Sequence, residues 1–187
     1  LLAVVGALCA DGMPFARALE LLAASRTVPG RMECFGGGEG PLVVVDYAHT
    51  PDALGQVLLA ARPHAQGRLT CVFGCGGDRD AGKRPQMGAV AAANADRVVV
   101  TDDNPRTEDA DAIVAQIVAG TGASSAKVRV QRDRGRAIAE AVAAAQGAAR
   151  RVWDEVDRVA EGAIKVDSLH NFAPSDGRAA RRAFFVV

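Results

Sequence analysis

The strongest constraint in this sequence is an alternation. Four short apolar runs, Leu42–Val45, Leu69–Phe73, Arg97–Thr101 and Val128–Val130, are each followed by a stretch with helical spacing. Runs this short and this continuously apolar read as strands buried on both faces, since a strand with one wet face would alternate. Thr50 signals the first helix as its N-cap, with Pro51 at the first helical position and Leu54, Val57, Leu58 and Ala61 as one apolar stripe. Residues 85–94 give the second helix. Thr107 reads as the cap of a third, which carries Ile113, Val114, Ile117 and Val118, and residues 133–146 give the fourth. Strand then helix, four times over, predicts an α/β domain: a mostly parallel sheet with helices on both faces.

Upstream of the alternation the pattern changes. Residues 1–25 have helical spacing of their own, broken at Asp11-Gly12, and read as a short helical remnant of another domain. Thr27-Val28-Pro29-Gly30-Arg31-Met32-Glu33 and the stretch Gly36-Gly37-Gly38-Glu39-Gly40 have linker composition, so a domain boundary is placed between 1–35 and 36–187. The apolar opening, Leu1 to Ala10, lacks a basic segment and an initiator Met. It reads as a chain cut from something longer rather than as a signal peptide.

Charge and cysteine usage narrow the function classes. The 22 basic residues balance 22 acidic ones, which argues against a nucleic-acid partner. No apolar run approaches the roughly 18–20 residues of a membrane span. The four cysteines form no disulfide framework, and Cys71 and Cys75 lack the CxxC spacing of a zinc site. They read as buried or loop thiols of a protein kept in a reducing cytoplasm.

Three of the strands end in polar segments rich in Gly, Pro and charge: Asp46-Tyr47-Ala48-His49-Thr50-Pro51-Asp52, Gly74 through Arg84, and Asp102-Asp103-Asn104-Pro105-Arg106. In an open parallel sheet all three lie on the edge where ligands bind. The second matches GxxxxGK through Gly77, Gly82 and Lys83, yet Arg84 stands where a Walker loop needs Ser or Thr, and Asp78 and Asp80 would oppose a phosphate. Arg79 between two acids suits a zwitterion, with a guanidinium for its carboxylate and carboxylates for its amine. An internal salt-bridge cluster is the alternative. Asp46, ending a strand, is placed to accept from ribose hydroxyls. His49 lies just before a helix N-terminus, where the dipole disfavours imidazolium.

Taken together, Pro29-Gly30-Arg31-Met32-Glu33, Asp46 to Asp52, Gly74 to Arg84 and Asp103-Asn104-Pro105-Arg106 resemble the Mur ligases, in the version that adds meso-diaminopimelate. Order and spacing agree from about residue 1 to 147. The resemblance implies a Rossmann-like C-terminal domain, preceded here by the last helices of a central ATPase domain. It implies ATP-dependent amide formation in peptidoglycan synthesis, with ATP and magnesium, between UDP-MurNAc-L-Ala-D-Glu and meso-diaminopimelate, in a cytoplasmic and monomeric enzyme. The family's P-loop belongs to the upstream part, so this segment carries no assigned catalytic or metal-ligating residue and is expected to be inactive alone. Arg31, Asp46 and His49 are implied to contact ATP. Arg79, Asp103, Asn104, Pro105 and Arg106 are implied to hold the diaminopimelate.

One departure stands out. The family carries a Gly-Lys-Gly-His-Glu segment after its last helix, and residues 148–175 contain no such segment. They read as divergence or as a shifted reading frame between two intact ends, of which Ser175-Asp176 and Arg178 to Arg182 form the second. Two other functions use the same fold: a non-catalytic nucleotide or amino-acid-binding module, and a folylpolyglutamate-synthase-like ligase domain. Asp103-Asn104-Pro105-Arg106 argues against the latter.

Overall fold

In the computed structural model, residues 2–23, 28–37, 41–65, 67–122, 127–145 and 183–186 are described here. The segment 148–175 and its neighbours through Arg182 lie outside them. Two short helices come first, α1 (Leu2–Ala10) and α2 (Phe15–Ala23), joined through Asp11-Gly12. They pack on each other and bury little: Val5 of α1 and Ala18 of α2 are their buried residues, while Phe15 is 63% exposed.

The remaining elements build one sheet. Strands β1 (Glu33–Gly36), β2 (Leu42–Val45), β3 (Leu69–Phe73), β4 (Arg97–Val100), β5 (Lys127–Val130) and β6 (Ala183–Val186) lie in the order β1-β2-β6-β3-β4-β5. All neighbouring pairs are parallel except β1 and β2, where Glu33 faces Val45 and Gly36 faces Leu42. Two of these strands stand outside the strand–helix alternation of the sequence. Strand β1 hides in what reads as linker, because Gly36 to Gly40 outweighs the brief apolar Cys34-Phe35. The expected boundary after residue 35 therefore cuts a strand of the sheet. Strand β6 fills the slot between β2 and β3, pairing Val43 with Phe184 on one side and Thr70 with Phe184 on the other.

Helices α3 (Pro51–Ala61), α4 (Lys83–Asn94) and α5 (Ala110–Gly120) cover one face, and α6 (Arg134–Ala144) lies on the other. On the first face Leu54, Leu58, Met87 and Ile117 pack against Val44, Leu69, Cys71, Phe73 and Val98. On the second, Ile138 and Val142 meet Phe35, Val43 and Val72. Each fully buried Leu or Ile contributes about 1.5–3 kcal/mol. The second and third of these helices approach closely because glycines face each other's backbone. A Cβ on Gly88 would lie 2.1 Å from the Ile117 carbonyl oxygen, and one on Gly120 would lie 1.8 Å from that of Pro85.

Helix starts follow the sequence with one correction. Thr50 caps α3 by accepting from the Ala53 N–H at 3.3 Å, and Pro51 is its first residue. Helix α5, however, is capped by Asp109, which accepts from the Asp111 N–H at 2.9 Å. Thr107 lies outside the helix, and its hydroxyl donates to Asp78 Oδ1 at 2.6 Å. A capping residue is recognised by type, and Thr and Asp two positions apart compete for that role. Here the cross-loop bond claims the threonine.

Candidate functional site

Beyond the carboxyl ends of β2, β3 and β4 the chain turns through segments 46–50, 74–82 and 101–109. Together with Gly30 and Arg134 they enclose a cavity of about 370 Å³. It lies at the carboxyl edge of the sheet, where open α/β folds take ligands.

The segment after β2 supplies Asp46, Tyr47 and His49. Asp46 Oδ2 accepts from the Met32 N–H at 2.9 Å, which pins the segment before β1 to the end of β2. Tyr47 is 63% exposed and lies beneath the Arg31 guanidinium, 4.8 Å from ring centroid to carbon. His49 Nδ1 is 3.1 Å from the Tyr47 carbonyl oxygen, to which it can only donate. The contact therefore places a proton on Nδ1.

The segment after β3 is held by what its glycines allow. A Cβ on Gly74 would lie 2.4 Å from the Thr101 carbonyl oxygen, and one on Gly77 would lie 1.8 Å from that of Pro105. The Gly77 N–H donates to the Asn104 carbonyl at 2.9 Å. Arg106 Nη1 donates to the Gly77 carbonyl at 3.0 Å, and its own N–H to Asn104 Oδ1 at 3.0 Å. Asp78 and Arg106 both sit in the left-handed region, at φ 51° and 52°. Non-glycine residues persist there only when their surroundings over-determine them, and such strain clusters at functional sites.

Beneath this pair of segments lies Arg84, fully buried. Its two terminal nitrogens donate to both oxygens of Glu108, at 2.8 and 2.7 Å, and Nη1 also donates to Gln116 Oε1 at 2.8 Å. The Arg84 hydrogen bond, then the Asp78 N–H, hold the Glu108 carboxyl below its ordinary value. A depressed carboxylate stabilises the fold above its unfolded pKa and loses that contribution as pH falls through the folded one. Arg84 also explains why this Gly-rich segment is no Walker loop: the residue that should reach magnesium is instead an internal ion-pair partner. Lys83, the other half of that motif, donates from Nζ to the His49 carbonyl at 2.8 Å and so ties the second segment to the first.

Of the residues the sequence singled out, Asp46, His49, Arg79, Asp103 and Arg106 line one cavity. Arg31 meets it through Tyr47. Asn104 and Pro105 do not line it; they shape the turn that presents Arg106. Residues not singled out also contribute. Arg134 lines the cavity from the start of α6 and donates to the Asp102 carbonyl at 3.5 Å. Its signal in the sequence is an Arg directly after the Asp133 cap, where the helix dipole disfavours a cation. Cys75 and Met87 form the apolar floor, with sulfur atoms 3.7 Å apart. Burial pushes the Cys75 thiol up to about 11 and that of Cys71 to about 12, so neither is a nucleophile at neutral pH. Among the described residues no three His, Cys, Asp or Glu side chains group to hold a metal, and no helix is long and apolar enough to cross a membrane.

The cavity therefore presents Arg79, Lys83, Arg106 and Arg134 against Asp46 and Asp103. The fold and this lining define an α/β domain with a cavity of mixed charge at the carboxyl edge of its sheet. The Mur ligase, glutamate ligase domain family matches residues 30–152. The UDP-N-acetylmuramoyl-L-alanyl-D-glutamate--2,6-diaminopimelate ligase of Parasynechococcus marenigrum (strain WH8102) is 58% identical over 153 residues, covering 79% of this chain and 30% of that protein. The ligase of the same name from Pseudomonas aeruginosa is 58% identical over 145 residues, covering 78% and 30%. A solved structure titled as that ligase superposes with a TM-score of 0.57 at 32% identity, covering 100% of this chain and 31% of the other. The fold is also that of Mycobacterium tuberculosis folylpolyglutamate synthase complexed with ADP, at a TM-score of 0.55 and 21% identity, covering 94% and 32%. The chain belongs to the Mur ligase family, and it spans about 30% of the length of the curated relatives it matches.

Proposed function

We propose that this chain is the acceptor-binding part of an ATP-dependent amide ligase that joins meso-diaminopimelate to UDP-MurNAc-L-Ala-D-Glu. The observation that carries the reading is the gathering of Arg79, Arg106 and Asp103 in one cavity. Diaminopimelate differs from lysine by a second carboxylate, and a planar guanidinium recognises that group with two parallel hydrogen bonds. A lysine in the same cavity would leave a guanidinium without its counter-charge, which makes rejection large. Asp103 offers a carboxylate to an ammonium group of the acceptor. Asn104 and Pro105 contribute by holding Arg106 in its left-handed turn.

The nucleotide side rests on Arg31, Asp46 and His49. Asp46 at the end of β2 suits ribose hydroxyls, His49 lines the cavity beside it, and Arg31 offers an exposed cation to phosphates. ATP supplies the phosphoryl group that activates the precursor's carboxylate. Magnesium goes with ATP in this reading, held through the phosphates, and no ligand to it is assigned to this segment. Residues 1–35 are read as the end of the ATPase domain and 36–187 as the acceptor domain, adjusted so that Glu33–Gly36 joins the sheet. A cytoplasmic, monomeric enzyme goes with this reading.

The test uses the full ligase that carries this domain. Phosphate release is expected only when ATP, UDP-MurNAc-L-Ala-D-Glu and meso-diaminopimelate are all present. Equal turnover with L-lysine overturns the choice of acceptor, and phosphate release without any acceptor overturns the reaction.

A further inference from the structure

The Arg84–Glu108 pair is a poor way to stabilise a fold. Arg84 is fully buried, its Nε finds no partner, and Glu108 is about one-third exposed. Burying such a pair costs so much desolvation that apolar side chains of the same size are often as stable or better. Its geometry, however, spans the two segments that carry every residue assigned to the acceptor. Arg84 follows the segment bearing Arg79, and Glu108 closes the segment bearing Asp103 and Arg106. The bridge is more than a single ion pair. Glu108 Oε1 also accepts from the Asp78 N–H at 2.5 Å, and Arg84 Nη2 approaches the Gly76 carbonyl at 3.4 Å. The guanidinium and its carboxylate partner thus hold the backbone on either side of Gly77, whose carbonyl receives Arg106. Neither partner lines the cavity.

We infer that Arg84 and Glu108 are positioning residues that set the affinity for the acceptor amino acid by fixing the spacing of Arg79 and Arg106. The inference rests on the acceptor reading above. The nucleotide residues Arg31, Asp46 and His49 stand on other segments, joined to this one through the Lys83 contact to the His49 carbonyl, so the latch acts on the acceptor first. An acceptor held by Arg79 and Arg106 together needs both guanidinium groups kept at a fixed spacing, and a looser pair of segments gives up that geometry.

The experiment takes Arg84→Met, which keeps a long buried side chain and leaves the Glu108 carboxylate free to turn to water, and Glu108→Gln in the full ligase. Both are expected to raise the KM for meso-diaminopimelate about tenfold, with the KM for ATP within about twofold. Arg84→Lys, which keeps the charge but not the fork, is expected to recover part of the loss. Equal increases for both substrates, or an unchanged acceptor KM in both variants, overturns the latch. A second measurement does not depend on activity. Amide hydrogen exchange at Gly77 and Asp78 is expected to quicken about tenfold in Arg84→Met, while Cys71 and Val72 in β3 keep their protection. Unchanged exchange at Gly77 and Asp78 overturns the latch whatever the enzyme does. A wild type without acceptor-dependent turnover overturns the ligase reading instead, and the exchange result then decides the latch.

Discussion

The two walls of the cavity are built differently. The wall formed by segments 74–84 and 101–109 is cross-braced throughout: Gly74 and Gly77 against carbonyls, Asp78 to Thr107, Arg106 to Gly77, and Arg84 to Glu108 below. The wall formed by 28–33 and 46–49 has lighter ties. They include one N–H from Met32 to Asp46, one from Gly30 to Glu33 at 2.8 Å, one from Arg31 to the Val28 carbonyl at 3.0 Å, the His49 contact to the Tyr47 carbonyl, the Lys83 contact to His49, and a cation over an exposed ring. The braced wall carries the residues assigned to the acceptor, and the lighter wall those assigned to the nucleotide. A small zwitterion is distinguished from near copies by fixed charges, which demands preorganisation. A phosphate contact tolerates motion, and Arg31 can leave Tyr47 at a cost of only about 0.5–1 kcal/mol, the worth of an exposed cation–π contact.

The sharpest way to break this contrast is Gly77→Ala. The new methyl would meet the Pro105 carbonyl at 1.8 Å, so the two segments must part. A loss of about 3 kcal/mol or more in urea unfolding is expected, at the upper end for overpacking because backbone must move. Arg106→Ala comes next. With the fold intact, the KM for meso-diaminopimelate is expected to rise about 10- to 100-fold, the worth of a lost charge-assisted contact. An unchanged value removes Arg106 from the acceptor site. Thr50→Ala tests the first segment as a helix start, and about 1 kcal/mol is expected in the same unfolding experiment. Tyr47→Ala should have the smallest effect, about 0.5–1 kcal/mol at most in apparent ATP binding, with the acceptor KM unmoved. A larger effect on the acceptor than on ATP would reverse the assignment of the two walls.

The sequence conveys the four alternating strands, the positions of their helices and the three ligand-bearing ends, because periodicity and N-caps are local signals. It conveys the braces far less well. That Arg84 reaches Glu108 is a tertiary fact, and in the sequence Arg84 registers only as a misfit in a phosphate motif. Thr107 illustrates the same limit: its type fits a cap, and its partner is Asp78 across the turn. Arg134 left a trace as a cation at the wrong end of a helix. The two unforeseen strands fail for opposite reasons. Glu33–Gly36 is masked by neighbouring glycines, and Ala183–Val186, though a short apolar run, stands outside the strand–helix alternation, so its place between β2 and β3 is a long-range fact.

That last pairing bears on how the chain is made. As the polypeptide leaves the ribosome, β2 and β3 emerge early but cannot bond to each other, since their shared partner is Ala183–Val186. Between Phe73 and Ala183 the nascent domain holds two open strand edges in what will be its interior. Such edges attract other chains, and long-range parallel pairing is slow to form. The middle of the sheet is therefore the last part to close, and the period before it closes is when the domain most depends on protection from its neighbours.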